Sequence, residues 1–216
     1  MGNSANDYIR DHWKRIQLTM NSLKIYLNES VQNVAYIGFT DFDELIVKML
    51  TGRNISFVVP NEFKAYIKTV NKMYTFADIT KDIPSALKEK FDMVIFTEVL
   101  EHIFSPDKVI MANIFLLLKP GGILCFSVPN IATFGNRVRL LFGKNVSWLK
   151  EDQVTGVFGG NGHIREYTLK EAVDLMNNFN IIRVLGISGY RTGVRKILNI
   201  LPKSYQNTIL VIGKKI

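Results

Sequence analysis

The chain has 216 residues, 47% of them hydrophobic and 21% charged, with a formal net charge of +8; it is long enough to bury roughly 70% of its unfolded surface in one core. No tract approaches the roughly 18 apolar residues of a membrane span, no apolar signal-peptide core follows the N-terminus, and Asn6 stands where N-myristoylation would want Ser or Thr. The single cysteine, Cys125, rules out an internal disulfide and reads as a buried thiol, which fits a reducing cytoplasm.

Residues 6–28 have helical spacing, with Ile9, Trp13, Ile16, Met20 and Leu23 on one stripe. This predicts a helix that packs on the main domain or covers a ligand mouth. Strands follow over 34–38, 55–59 and 74–77, separated by helices over 41–50 and 61–70, with a short helix over 83–90. Met93 to Phe96 is an apolar run of the kind a parallel strand buried on both faces requires. Ser105, Pro106 and Asp107 supply an N-cap acceptor, a proline where no amide partner is needed, and an acid near the positive end of the dipole. Lys119-Pro120-Gly121-Gly122 then stops that helix and turns the chain into the strand 123–128, completing a βαβ unit.

Beyond it, 131–142 reads as a helix and 143–162 as an irregular, glycine-bearing stretch. Thr168 and Glu171 form a capping box ahead of Leu169, Ala172, Val173 and Met176. Strands over 181–187 and 208–213 flank a basic helix from Arg191. No linker or internal repeat interrupts the chain, so residues 1–216 form one domain. Residues 1–30 are its N-terminal helical extension and 131–166 an acceptor-side insertion.

Charge is unevenly placed. Residues 1–130 hold 14 basic and 14 acidic residues, whereas 131–216 hold 13 and 5, so the whole surplus lies in the second half. Arg137, Arg139, Lys144 and Lys150 accompany one apolar stretch, and Arg191, Arg195, Lys196 and Lys203 another. Both read as amphipathic helices, either solvated faces or surfaces for phosphate groups or anionic lipid. The aromatics offer no clear stacking platform, so nucleic acid is not expected as a partner.

The run from Phe91 to Asn130, FDMVIFTEVLEHIFSPDKVIMANIFLLLKPGGILCFSVPN, closely resembles the second half of the nucleotide-binding fold in class I methyltransferases that use S-adenosylmethionine. The resemblance implies an α/β, seven-stranded Rossmann-like sandwich with strand order 3-2-1-4-5-7-6 and an antiparallel last strand. S-adenosylmethionine is then the cofactor. In that family the first strand ends in D-x-G-x-G-x-G; here the run is Tyr36-Ile37-Gly38-Phe39-Thr40-Asp41-Phe42, which keeps one glycine of three and lacks the acid. Val59 stands where the ribose acid is usual, with Glu62 three residues on. Carried over by position, the cofactor contacts are Gly38, Phe39, Thr40, Glu62, Asp78, Ile79, Thr97 and Glu98. Asp78 has a second reading as a loop acid or helix cap.

From Pro129 the sequence PNIATFGNRVRLLFGK, followed by GNGHIREYT, looks like methyltransferases associated with polysaccharide and lipid-linked glycan assembly. That resemblance places His163, Arg165 and Tyr167 over the acceptor, beside Arg137. His163 is the candidate base, since imidazole titrates near neutrality, or a loop histidine bonded to backbone. Arg165 suits a phosphate or carboxylate, or an ion pair. A helical turn from Glu98 would put Glu98, Glu101 and His102 on one face. With His163 they resemble the metal set of small-RNA 2′-O-methyltransferases; since metal-free relatives carry the same string, no metal is expected, and His102 orients the acceptor loop.

The expected activity is O-methylation of a sugar or glycan-precursor hydroxyl. The expected acceptor is a small-molecule or lipid-linked anionic saccharide, met in the cytoplasm or by peripheral contact with an anionic membrane. The alternatives are a methyltransferase-like scaffold whose cleft is filled by Tyr36, Thr40, Phe42 and Val59, and a metal-assisted RNA 2′-O-methyltransferase.

Overall fold

The computed structural model describes residues 3–38, 43–65, 73–147, 163–188 and 201–216. Phe39, Thr40, Phe42, Lys150, most of the irregular stretch before His163, the basic helix from Arg191 and the end of the predicted 61–70 helix lie outside them.

In chain order the elements are α1 (Asn3–Leu23), β1 (Asn33–Ile37), α2 (Asp43–Met49), β2 (Asn54–Val59), β3 (Tyr74–Phe76), β4 (Phe91–Thr97), α3 (Asp107–Leu117), β5 (Leu118–Pro129), α4 (Phe134–Leu141), α5 (Leu169–Asp174), β6 (Phe179–Ile187) and β7 (Thr208–Lys215). Seven strands form one sheet in the order β3-β2-β1-β4-β5-β7-β6. β7 runs antiparallel to both β5 and β6, and the other pairings are parallel. This is the expected seven-stranded methyltransferase sheet. Strand order reverses between β1 and β4, so the crevice at their carboxyl ends is where such a sheet receives a ligand.

Alternation along the central strands feeds two core layers. Leu124, Phe126 and Val128 of β5, with Ile209 and Val211 of β7, face Ile110, Ile114 and Leu117 of α3. Cys125, Leu210 and Ile212 point the other way, toward Ile46 and Leu50 and toward Met20 and Leu23 of α1. The C-terminal half of α1 is therefore part of the core, with Ile16, Met20 and Leu23 packed on that layer.

Several local expectations need correction. Residues 83–90 contain only a 3-10 turn, Ser85–Leu87, because the positive φ of Glu89 (+50°) swings the chain into β4. Ser105 does not cap α3; Pro106 holds the N-cap position and no side chain accepts there. Lys119 to Gly122 does not separate helix from strand. β5 already pairs at Leu118, and the four residues form the irregularity between the Phe91–Leu118 and Met93–Ile123 pairs. The described start of the predicted 61–70 helix is a 3-10 turn, Asn61–Ala65. The capping box of α5 forms as expected, Thr168 and Glu171 each accepting from or bonding to the other's backbone.

Candidate active site

At the end of β1, Gly38 turns the chain with φ +93°, a region most L-residues avoid. A side chain there would face Val99 at 3.4 Å, so the ends of β1 and β4 lie close. Of the bulky residues in the family's cofactor positions, Tyr36 packs its ring on Phe57 at 5.5 Å inside the core, and Val59 is fully buried. Thr40 and Phe42, the other two residues of the scaffold reading, lie outside the described residues.

Asp78, at the end of β3, folds into its own loop. Its Oδ1 accepts from the backbone N–H of Thr80 at 2.9 Å and the Thr80 hydroxyl at 2.7 Å, and Lys81 pairs with Oδ2 at 3.1 Å. Burial alone would raise its pKa, but the Thr80 and Lys81 contacts outweigh it and hold the carboxyl below its usual range. Ile79 beside it is buried. Glu62 is exposed in the turn after β2.

Thr97 ends β4, and Glu98 follows with φ +54°, a strained conformation for a non-glycine residue at the head of the crevice. Its oxygens accept from the Ser127 hydroxyl at 2.9 Å and from Arg15 of α1 at 2.7 Å. The expected helical turn carrying Glu98, Glu101 and His102 on one face is not formed. Only Leu100–His102 make a 3-10 turn, and Glu98 turns away to Arg15 and Ser127.

Glu101 is 1% exposed, and its Oε2 has no hydrogen-bond partner among the described residues. Burial first, and then the charge of Glu98, push its carboxyl well above the usual range. His102 Nε2 lies 3.8 Å from Glu101 Oε1. His163 arrives from a distant segment because the Ile164 N–H donates to the Glu101 carbonyl at 2.8 Å. Its ring meets His102 edge-on at 5.1 Å, and its Nδ1 is 3.7 Å from Glu166. The structure thus joins His102 and His163 at the carboxyl end of β4.

Arg165 takes its ion-pair alternative, and Tyr167 is buried instead of lying over an acceptor. Arg165 pairs with Asp107 at 2.6 Å and Glu171 at 3.2 Å, and stacks on Tyr167 at 5.0 Å. Tyr167 is 0% exposed and donates its hydroxyl to Asp107 at 3.0 Å. Two carboxylates satisfy the guanidinium, so these side chains fasten the His163 segment to α3 and α5 rather than facing an acceptor. Arg137 is exposed on α4, donating to the Ala132 carbonyl and stacking over Tyr205 at 4.5 Å.

Sequence reading missed Arg15, Ser127, Glu166 and Asp107. Glu166 has a signal, three residues from His163; the other three become visible only when distant elements meet.

A methyltransferase domain family model matches residues 34–181. The chain belongs to this methyltransferase domain family. It is a class I enzyme whose cofactor is S-adenosylmethionine. No curated protein sequence is recognisably similar to it. Among solved structures, a methyltransferase from Thermotoga maritima described as a possible histamine N-methyltransferase is 19% identical, with TM-score 0.61, over 99% of this chain and 96% of that one. The N-methyltransferase NodS from Bradyrhizobium japonicum, bound to S-adenosylhomocysteine, is 14% identical with TM-score 0.52 over 92% and 86% of the two chains. The 1,6-didemethyltoxoflavin N1-methyltransferase of Burkholderia thailandensis is 16% identical with TM-score 0.56 over 95% and 81%. The described residues are compatible with the cofactor: a left-handed glycine stands at the switch point, and the Glu98 carboxylate is held at the head of β4 by Arg15 and Ser127.

Proposed function

We propose that the chain O-methylates a hydroxyl of a sugar or glycan precursor carried on an anionic, lipid-linked phosphate. S-adenosylmethionine supplies an electrophilic methyl group. Gly38, Asp78, Ile79, Thr97 and Glu98 are the described residues that would hold it. A hydroxyl acceptor makes a demand a nitrogen lone pair does not: its proton must be drawn off as the new bond forms. When bound, the cofactor would give up its methyl group to the acceptor oxygen, and His102 and His163 would take the proton that the hydroxyl loses.

The observation that carries this reading is the His102–His163 pair, set against buried carboxylates at the end of β4. Two similar structures are N-methyltransferases by description; an amine reacting through a free lone pair needs no base as the bond forms, whereas a hydroxyl does. The lipid-linked, membrane-apposed part rests on α4 and the turn after it. Leu140, Leu141 and Phe142 are exposed there beside Arg139 and Lys144, the combination that binds an anionic lipid surface.

The test is incubation of the purified chain with methyl-labelled S-adenosylmethionine and a panel of polyprenyl-phosphate-linked saccharides, nucleotide sugars and amines. The expected result is one labelled methyl on a sugar oxygen. Label on amines alone, or none on any saccharide by a chain that binds the cofactor, would overturn the reading.

A further inference from the structure

The geometry points to a divalent-cation site formed by Glu101, His102 and His163, which takes a borderline ion of the zinc class and presents it to the acceptor hydroxyl. One ligand atom from each of the three residues lies within 4.8 Å of the other two. The second observation is Glu101 itself: 1% exposed, with an oxygen that no described group hydrogen-bonds. A buried carboxylate oxygen left unsatisfied is costly and rare. A metal ion satisfies it.

Glu98, grouped with these residues by sequence alone, is held by Arg15 and Ser127, so the set on the page is two imidazoles and one carboxylate. That composition suits zinc-like ions, whereas magnesium prefers oxygen ligands and water. Three protein ligands also leave an open position, as catalytic zinc sites do.

The mount is stiff. The Ile164 amide bonds the Glu101 carbonyl, Tyr167 exchanges backbone contacts with Pro129 and Ile131, and Arg165 and Tyr167 both fasten to Asp107. Ligand sites need such support to hold geometry. The inference rests on the O-methylation reading for its purpose: a bound cation lowers the pKa of a coordinated hydroxyl and orients it, so the histidine pair acts through the ion. This inference departs from the expectation of no metal drawn from sequence.

The test uses the full chain, stripped with a chelator and titrated with Co²⁺ alone, followed by visible absorption and by displacement with Zn²⁺. One ion per chain is expected. His102→Ala and His163→Ala should each weaken binding by at least about tenfold. Both should keep the circular dichroism of the folded protein, and Glu101→Gln serves as a third variant. A folded wild-type chain that binds no ion, or binding unchanged in both histidine variants, overturns the site. Because neither cofactor nor acceptor is present, that failure leaves the methyl-transfer reading standing. Ion binding by a chain that methylates no saccharide supports the site and sinks the acceptor.

Discussion

Arg15 of α1 places a guanidinium nitrogen 2.7 Å from the Glu98 carboxylate at the head of β4, with side chains only 16% and 9% exposed. The N-terminal helix is thereby tied to the strand end that borders the cofactor crevice. Removing one partner strands the other charge away from water, which costs about 3 kcal/mol in comparable pairs. Arg15→Met should lower unfolding stability by about that amount, and Glu98→Gln in the same chain should recover part of it. Urea denaturation of the two single variants and the double variant measures this. A loss within the ~0.5 kcal/mol of ordinary surface changes would show that the pair does not anchor α1.

Gly38 separates strain from steric clash. Its φ of +93° disfavours any L-residue, yet a Cβ would meet nothing closer than Val99 at 3.4 Å. Gly38→Ala should therefore act through backbone conformation, by about 1–2 kcal/mol. If the turn relaxes to relieve it, affinity for S-adenosylhomocysteine falls about tenfold. Calorimetric titration reads the change; unaltered affinity would mean the crevice does not depend on this turn.

What could be read from sequence follows the range of the interactions involved. The apolar run Met93–Phe96 and the Thr168–Glu171 box are local, each set by residues a few positions apart; the box forms as expected and the run lies inside the longer strand Phe91–Thr97. The sheet order followed from the methyltransferase resemblance. Sequence leaves Arg165 between an anionic ligand and an ion pair, and puts Tyr167 over the acceptor, because their partner, Asp107, stands there as the opening acid of a helix. One carboxylate satisfying both side chains is a tertiary fact with no periodic signature. Glu98 escaped its predicted helical face for the same reason: Arg15 and Ser127 lie on distant elements.

The Asp107 fastening predicts a stability effect apart from chemistry. Tyr167→Phe removes a hydrogen bond to a charged acceptor on a fully buried ring, which costs about 1.5–3 kcal/mol. Arg165→Lys keeps the charge but cannot span Asp107 and Glu171 together. Both variants should melt earlier while retaining cofactor binding at saturating ligand. If instead they keep their melting temperature and lose only acceptor affinity, these residues contact substrate after all.

Three carboxylates make the fold acid-sensitive. For Asp92, burial would raise the pKa, but Lys119 and the Asn33 and Gln32 amides lower it on balance. For Glu171, burial is likewise outweighed by Thr168 and Arg165, and Asp78 follows the same pattern. A depressed folded pKa means the unfolded chain binds more protons in this window, so stability rises with pH there. The contribution is full above the unfolded values of about 4 and is lost as pH falls through the lower folded ones. Asp92→Asn should therefore be less stable than wild type at neutral pH, with the deficit closing in acid. Urea midpoints across that range test the sign; a deficit that grows on acidification would refute it.

The turn after α4 should be a membrane contact. Leu141 and Phe142 are 84% and 76% exposed, next to exposed Arg139 and Lys144, so replacing the two apolar side chains should leave the fold within ~0.5 kcal/mol. Inserted in lipid, each contributes about 1.5 kcal/mol or more, so Leu141→Glu with Phe142→Glu should weaken vesicle binding about a hundredfold. The basic neighbours add attraction that salt screens. Cosedimentation should accordingly favour phosphatidylglycerol-containing vesicles over neutral ones and decline as salt rises. Equal binding to neutral vesicles would remove the electrostatic part, and binding that survives the double substitution would remove the surface altogether.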